Sequence, residues 1–341
     1  ISLGLVGSEM CIRDRGPVNA SYLDINKIID VAKQTNAQAI HPGYGFLSEN
    51  SNFAKAVELA GLTFIGPKSE AIALMGSKSV SKKKMLEAKV PCIPGYQGDD
   101  QSDNTLLKSA KKIGFPLMIK ASAGGGGRGM RLVNQVDDLK DALKIARAEA
   151  LNAFGSSELI LEKAFVNARH IEIQIISDAY GSHLYFGERD CSIQRRHQKV
   201  IEESPSPVMT KMLREKMGKA AVCAAKAVDY TNAGTIEFLV DDQLNYYFLE
   251  MNTRIQVEHP VTEMVTGYDL IALQFLVAQG AKLPMKQSDI AITGHAIEAR
   301  IYAEDPNNDF LPNAGKIDFW DPPRFDGCLL YTSPSPRDPT K

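Results

Sequence analysis

Four consecutive glycines, Gly124–Gly127, lie in the stretch KASAGGGGRGMR (120–131) and constrain this chain more than any other feature. Ordering a glycine costs more backbone entropy than ordering any other residue, and the run gives a core no side chain. Such a run is retained where bare backbone is needed. FPLMIKAS (115–122) before it reads as a strand and MRLV (130–133) after it as another. Strand, glycine turn and strand form a hairpin, unlike the dinucleotide-binding arrangement, where the glycines open a helix. A turn without Cβ atoms presents several backbone N–H groups to one phosphate, and Lys120 and Arg128 add positive charge beside it. The alternatives are a flexible loop or a tight packed hairpin; the basic flanks favour a polyphosphate.

Apolar spacing organises the rest. Ile25, Ile28, Ile29 and Ala32 predict a helix from Tyr22 to about Thr35, AI (39–40) leads into a turn at His41-Pro42-Gly43, a second helix covers about 49–60, and LTFIG (62–66) is a short strand. That is half of an α/β layer, without its opening strand. A helix is expected from about Ser77 to Ala88, another from Asn134 as cap to about Ala153, and a strand at ELILEKA (158–164). In IEIQIIS (171–177) Glu172 and Gln174 alternate with Ile171, Ile173 and Ile175, and LYFGER (184–189) returns after Asp178-Ala179-Tyr180-Gly181. A helix at 209–229, strands TIEFLV (235–240) and NYYFLEMN (245–252), one helix over 262–279 and a strand within 294–305 complete an α+β pattern.

A transferable phosphate needs a cation to neutralise its charge. A turn near 242–243 would set Glu237 close to residue 248, with Glu250 one same-face step away and Asn252 two residues on. Two carboxylates and an amide oxygen are hard ligands suited to Mg²⁺ or Mn²⁺; solvated strand glutamates are the plainer reading. Beyond them, in NTRIQVEHPVTE (252–263), a continuing strand would put Arg254, Gln256 and Glu258 on one face, as a pocket for a small planar anion with a base beside it. An exposed, salt-bridged edge strand is the rival. The run RDCSIQRRHQK (189–199) carries five basic side chains, Arg189, Arg195, Arg196, His197 and Lys199, with a surface basic loop as the plainer reading; Lys78 reads as a solvated or phosphate-binding helix residue and His170 as structural.

Composition excludes several classes. A net charge of −2, without a basic block interleaved with aromatics, argues against a general nucleic-acid surface. The five cysteines, Cys11, Cys92, Cys191, Cys223 and Cys328, include no CxxC, so neither a zinc site nor a disulfide framework is expected and a reducing compartment fits. No apolar run reaches the roughly 18 residues of a membrane span, and no signal-peptide order is visible. Residues 1–16 and 328–341 lack the patterning of the middle and resemble translated sequencing-adapter sequence, so both are expected to be artefacts outside the fold.

The motifs HPGYGFLSEN (41–50), KASAGGGGRGM (120–130), ERDCSIQRRHQK (188–199) and EMNTRIQVEHPVTE (250–263) together resemble those of the biotin carboxylases, members of the ATP-grasp superfamily. The resemblance covers about residues 16–327. It implies an ATP-grasp fold behind a partial α/β domain: 17–76 for that domain, 77–280 for the ATP-grasp (77–115 leading in, 116–165 the glycine-loop lid, 166–280 the antiparallel catalytic part), and 281–327 for the start of a C-terminal region. Family members extend further at both ends, so a fragment is expected.

The resemblance further implies ATP-dependent carboxylation of carrier-bound biotin by bicarbonate, through carboxyphosphate. It makes Glu258 the base for bicarbonate, Arg254, Gln256, Val257 and Lys199 its holders, and Arg300 the stabiliser of charge on the biotin ureido oxygen. Lys78, Lys120 and Gly124, Gly125, Gly126 and Gly127 would bind nucleotide phosphates. Glu162 and Lys163 would lie at the adenine, His170, Gln194 and His197 would border the nucleotide, and Leu239 would pack on its base. Glu237, Glu250 and Asn252 carry over to Mg²⁺ or Mn²⁺. The implied partners are a biotin carboxyl carrier, a carboxyltransferase and a second copy of the full-length chain, with no nucleic acid or membrane. The cytoplasm of a bacterium or the mitochondrial matrix of a eukaryote would house it. Competing readings are another ATP-grasp carboxylate or bicarbonate ligase, a kinase-like phosphotransferase, and a nonenzymatic nucleotide-binding subunit or inactive fragment.

Overall fold

The computed structural model describes residues 17–123, 130–165, 167–195 and 198–313, with 316, 319, 321, 323, 325 and 327–329. Gly124–Gly127, Arg128 and His197, named above, lie outside the described residues, as do 1–16 and 330–341.

The first layer holds α1 (Ile25–Gln34), β1 (Ala39–Ile40), α2 (Ser51–Leu59), β2 (Thr63–Phe64) and α3 (Ser69–Gly76). Asp24 and Asn50 cap α1 and α2, each accepting the N–H three residues on, which satisfies donors that a helix start leaves open. β1 and β2 pair in parallel, and Phe53, Val57, Phe64 and Ile72 close the core beneath them. α3 has no counterpart in the sequence expectations, because AIALM is apolar on every side and shows no helical stripe.

The second layer contains α4 (Lys78–Glu87), β3 (Gly95–Tyr96), α5 (Asp103–Ile113), β4 (Leu117–Ala121), β5 (Arg131–Val133), α6 (Leu139–Phe154) and β6 (Leu159–Lys163). The strands lie in the order β3-β6-β4-β5. β4 and β5 pair antiparallel, Leu117 opposite Val133, so the strands flanking the glycine run form the expected hairpin. α5 was absent from the sequence expectations, although Ser102 accepts the Thr105 N–H as its cap. α6 does not start at Asn134: Gln135 stays extended and Val136–Asp138 forms a 3-10 turn before the helix.

The third layer is built on β7 (Arg169–Ser177), β8 (His183–Arg195), β9 (Gln198–Ser204), α7 (Lys211–Ala227), β10 (Asn232–Val240), β11 (Tyr246–Asn252), α8 (His259–Thr266), α9 (Leu270–Ala278) and β12 (Ala296–Ala299). The sheet is antiparallel throughout, ordered β11-β10-β7-β8-β9-β12. A separate short pair, β13 (Glu304–Asp305) with β14 (Leu311–Pro312), follows.

One face of the six-stranded sheet is sealed by α7: Met217, Ala221 and Ala224 pack with Ile171, Ile173, Ile175, Ile236 and Phe238. Burying each such large side chain contributes about 1.5–3 kcal/mol. The helix comes close because Gly218 has no side chain; a Cβ there would stand 2.5 Å from the Tyr185 ring. The other face is polar yet also buried.

Two expectations at the end of this layer are corrected. The helix expected over 262–279 is two helices bent by 99°. Gly267, at φ +74°, closes α8, and the Asp269 carboxylate caps α9 at the Ala272 N–H. The strand also stops at Asn252 instead of running on through Glu258, because the chain bends at Thr253 and Arg254. Among the described residues no single helix is long and apolar enough to cross a membrane.

Candidate active site

Register across the sheet builds the site. Residues paired across antiparallel strands point to the same face. One row therefore runs Arg189, Glu172, Glu237, Glu250 across β8, β7, β10 and β11. Beside it run Gln174, Thr235, Asn252 on one flank and His170, Leu239, Tyr247 on the other. The simple hairpin count fails here. Leu249 is an extra residue, a bulge between the pairs Phe238–Phe248 and Glu237–Glu250, so Glu250 sits directly opposite Glu237 rather than a step away.

Lys199, from β9, reaches into these rows and donates to three carboxylates: Glu172 Oε2, Glu237 Oε1 at 2.9 Å and Glu258 Oε1 at 2.6 Å. Burial disfavours its charge, but the three carboxylates prevail and hold its pKa well above the ordinary lysine value. Arg300 donates from Nη2 to Glu258 Oε2 at 2.9 Å and from Nε to Glu202 Oε1 at 2.7 Å. Glu258 is thus gripped on both oxygens. Its burial would raise the carboxyl, yet Lys199, Arg300 and Arg189 bring it down to about 2. Glu202 has no comparable excess of cations: burial, with Glu258 and Glu172 nearby, lifts it to about 7 despite Arg300.

At the β8 end of the first row sits Arg189, wholly buried. Its Nε donates to Glu172, Nη1 to Gln174 Oε1 at 2.9 Å and Thr262 Oγ1 at 2.8 Å, and Nη2 to Thr235 Oγ1 at 3.3 Å and Gln256 Oε1 at 2.8 Å. All five guanidinium N–H groups are used. The expected strand 184–189 does include Arg189, but nothing in its spacing shows that this side chain is the joint of two other strands, a loop and a helix. The usable signal was the pair Glu172 and Gln174 in an isoleucine strand, polar residues that need partners once both faces are covered.

Gln256, Val257 and Glu258 share a turn leading into α8, not a strand face. Gln256 Nε2 donates to Glu237 Oε1 at 2.9 Å, while Val257 lies half-buried between its two buried neighbours. Arg254 is off that face yet within electrostatic reach of Glu258: Nε donates to Glu49 Oε2 and Nη2 to Asn252 Oδ1, both at 3.0 Å. Glu49, from the first layer, also accepts the Thr253 N–H at 3.1 Å. A contact spanning 205 residues leaves no trace in local patterning.

The residues expected around a nucleotide fall between the second and third layers. The Lys78 N–H bonds Ser122 O, and Ser122 Oγ bonds Ser79 Oγ, which pins the start of α4 to the strand end before the glycine run. Burial lowers the Lys78 ammonium, with Glu250 acting against that and Lys120 adding to it. Lys120 stands 2.6 Å from Glu162 Oε2, and Lys163 Nζ donates to Phe115 O at 2.8 Å. Gln194 Nε2 lies 3.0 Å from His170 Nδ1, whose Nε2 is 2.8 Å from Glu237 Oε2. Burial lowers the His170 pKa, but Glu237 outweighs it and the net shift is upward. Leu239 shares its row with His170 and with Tyr247, whose ring stacks on Phe165 at 4.9 Å.

Glu237, Glu250 and Asn252 suit a hard divalent cation. Glu237 is held well below the usual carboxylate range, where Lys199 and His170 outweigh its burial. Glu250 is pushed up by burial and by the Glu237 charge facing it. Two carboxylates driven apart in this way are the arrangement a divalent ion relieves. Asn252 Nδ2 donates to Glu237 Oε1 at 2.8 Å, which turns its oxygen outward to Arg254.

Comparison with known proteins identifies the family. Residues 6–72 match the family model described as biotin carboxylase, N-terminal domain, and residues 77–286 match that of the carbamoyl-phosphate synthase L chain, ATP binding domain. The chain is 56% identical over 304 residues to the mitochondrial methylcrotonoyl-CoA carboxylase subunit alpha of Dictyostelium discoideum, covering 89% of this chain and 44% of that protein. It is 53% identical to a biotin carboxylase of Nostoc sp., covering 96% of this chain and 73% of the relative. The biotin carboxylase domain dimer of Hydrogenobacter thermophilus 2-oxoglutarate carboxylase, solved with MgADP, ADP and bicarbonate, superposes with a TM-score of 0.87 at 47% identity over 91% of this chain and 69% of that one. The chain spans less than half the length of the methylcrotonoyl-CoA carboxylase subunits it matches. With an ATP-grasp arrangement of layers and the carboxylate rows described above, the chain belongs to the biotin carboxylase family.

Proposed function

We propose that this protein carries out the ATP-dependent carboxylation of carrier-bound biotin by bicarbonate. The observation that carries the reading is Glu258, a buried carboxylate held on one oxygen by Lys199 and on the other by Arg300. A carboxyl held near 2 is a poor base. It becomes a competent one when substrates draw those cations off it: Lys199 toward bicarbonate and phosphate, Arg300 toward biotin. Glu258 then takes the bicarbonate proton while an oxygen of bicarbonate attacks the γ-phosphorus of ATP. The bond to the ADP oxygen breaks, leaving carboxyphosphate.

Gln256 and Arg254 orient the bicarbonate, with the Val257 backbone beside them. Glu237, Glu250 and Asn252 would hold Mg²⁺, which when bound supplies charge neutralisation at the phosphates. Carboxyphosphate splits to CO₂ and phosphate, the phosphate takes the N1 proton of biotin, and N1 forms its bond to the CO₂ carbon. Arg300 faces the negative charge that develops on the ureido oxygen. Lys78 and Lys120 bind nucleotide phosphates. The partners of this reading are a carboxyl carrier, a carboxyltransferase and a second copy of the protein; the D. discoideum and H. thermophilus relatives support it.

The test is ADP release with MgATP, with and without bicarbonate and free biotin. Release that needs both is expected. Release that follows bicarbonate but ignores biotin would replace this reading with another bicarbonate ligase, and ATP binding without turnover with a nonenzymatic subunit.

A further inference from the structure

Lys82 is an ammonium that none of the roles above uses, and it is 5% exposed. It lies one helical turn after Lys78 on α4, so both lysines share the face turned to the second-layer sheet. Lys82 Nζ is 2.6 Å from Glu162 Oε1, and Lys120 Nζ is 2.6 Å from Glu162 Oε2. One buried carboxylate therefore holds two ammonium groups, one on each oxygen. Burial would raise the Glu162 carboxyl; Lys120 and Lys82 together bring it below its ordinary value.

The space for this ammonium is built in. Gly95 on β3 stands opposite Glu162, and a Cβ there would fall 2.8 Å from Lys82 Nζ and 2.3 Å from Leu161 O. A buried ion pair is a weak source of stability compared with an apolar pair of the same shape. What it changes here is the charge felt by the neighbouring Lys120. With Lys82 present the trio carries one net positive charge. Without it, Glu162 and Lys120 would form a neutral pair, and both carboxylate oxygens would compete with a phosphate for one ammonium.

We propose that Lys82 is a positioning residue for nucleotide binding: by occupying one oxygen of Glu162 it weakens that carboxylate's hold on Lys120, which then turns its ammonium to a nucleotide phosphate. The inference rests on the reading above that Lys120 binds that phosphate. It makes Glu162 a counter-charge whose strength Lys82 sets.

Calorimetric titration with MgADP tests it. Lys82→Met should weaken binding about tenfold, the scale of coupling between neighbouring charged groups, and Lys82→Arg should restore much of the loss. The double variant Lys82→Met with Glu162→Gln removes the competitor along with its neutraliser and leaves no buried unpaired carboxylate. It should bind MgADP at least about threefold more tightly than Lys82→Met. Lys82→Met binding like wild type would overturn the inference. So would a double variant as weak as Lys82→Met, which would make Lys82 a packing residue. Failure of the wild-type protein to bind MgADP would instead remove the reading on which the inference rests.

Discussion

Arg189 Nη2 donates to Gln256 Oε1 at 2.8 Å, and this bond decides which end of the Gln256 amide faces the site. With its oxygen taken, Gln256 must present its NH₂ group, which donates to Glu237 Oε1. Arg189→Met would leave Glu172 with Lys199 as its one cation among the described residues and the Gln256 oxygen without its donor. Removing one partner of a buried charge pair costs about 3–5 kcal/mol, and urea unfolding should read a loss of that order. Arg189→Lys keeps the charge without the five-donor fork; in whatever fraction folds, KM for bicarbonate should rise more than KM for ATP.

Glu258→Gln keeps the shape of the site and removes its base. Bicarbonate-dependent ADP release should fall by at least about a hundredfold, the usual range for a general base. MgATP binding should stay within about threefold of wild type, since Glu258 approaches the site from the bicarbonate side. Steady-state kinetics with a parallel nucleotide titration separates the two effects, and release within threefold of wild type would remove Glu258 from the mechanism.

The facing pair Glu237 and Glu250 should couple stability to a divalent ion. Mg²⁺ is expected to raise the melting temperature of wild type. Glu250→Gln should abolish that rise and, in the absence of metal, should itself melt no lower than wild type, because it removes the repulsion from Glu237. Melting curves with Mg²⁺ and with a chelator check both halves.

Glu298 on β12 stands directly opposite Glu202 on β9, and its carboxyl is pushed up to about 7 by burial and by Glu202 and Glu258. Like charges across a strand pair destabilise it. Because the folded value exceeds the ordinary 4.5, the stability this group contributes is complete below pH 4.5 and is lost as pH rises through about 7. Glu298→Gln should therefore melt above wild type at pH 8 and show no such advantage at pH 4. Equal melting shifts at the two pH values would mean that Glu298 does not titrate in this window.

Much of this protein is legible along the chain. The strands either side of the glycine run, the Ile171–Ile175 alternation and the helices at 25–34 and 211–227 follow from spacing of two or 3.6 residues and from turn chemistry, which act between near neighbours, while the quoted motifs carry the family resemblance. Tertiary structure decided what spacing does not contain. The bulge at Leu249 set Glu237 against Glu250, because a β-bulge shifts register without a local signature as clear as a glycine turn. The bend after Asn252 took Arg254 and Glu258 off a common strand face and paired Arg254 with Glu49, a residue of another layer. Arg189 and Lys82 are buried only because both faces of the sheet and the inner face of α4 are covered. The physical reason is common to all of these: the cost of an unpaired buried charge is felt only once distant segments exclude water, so the partners that satisfy it are chosen by the assembled fold.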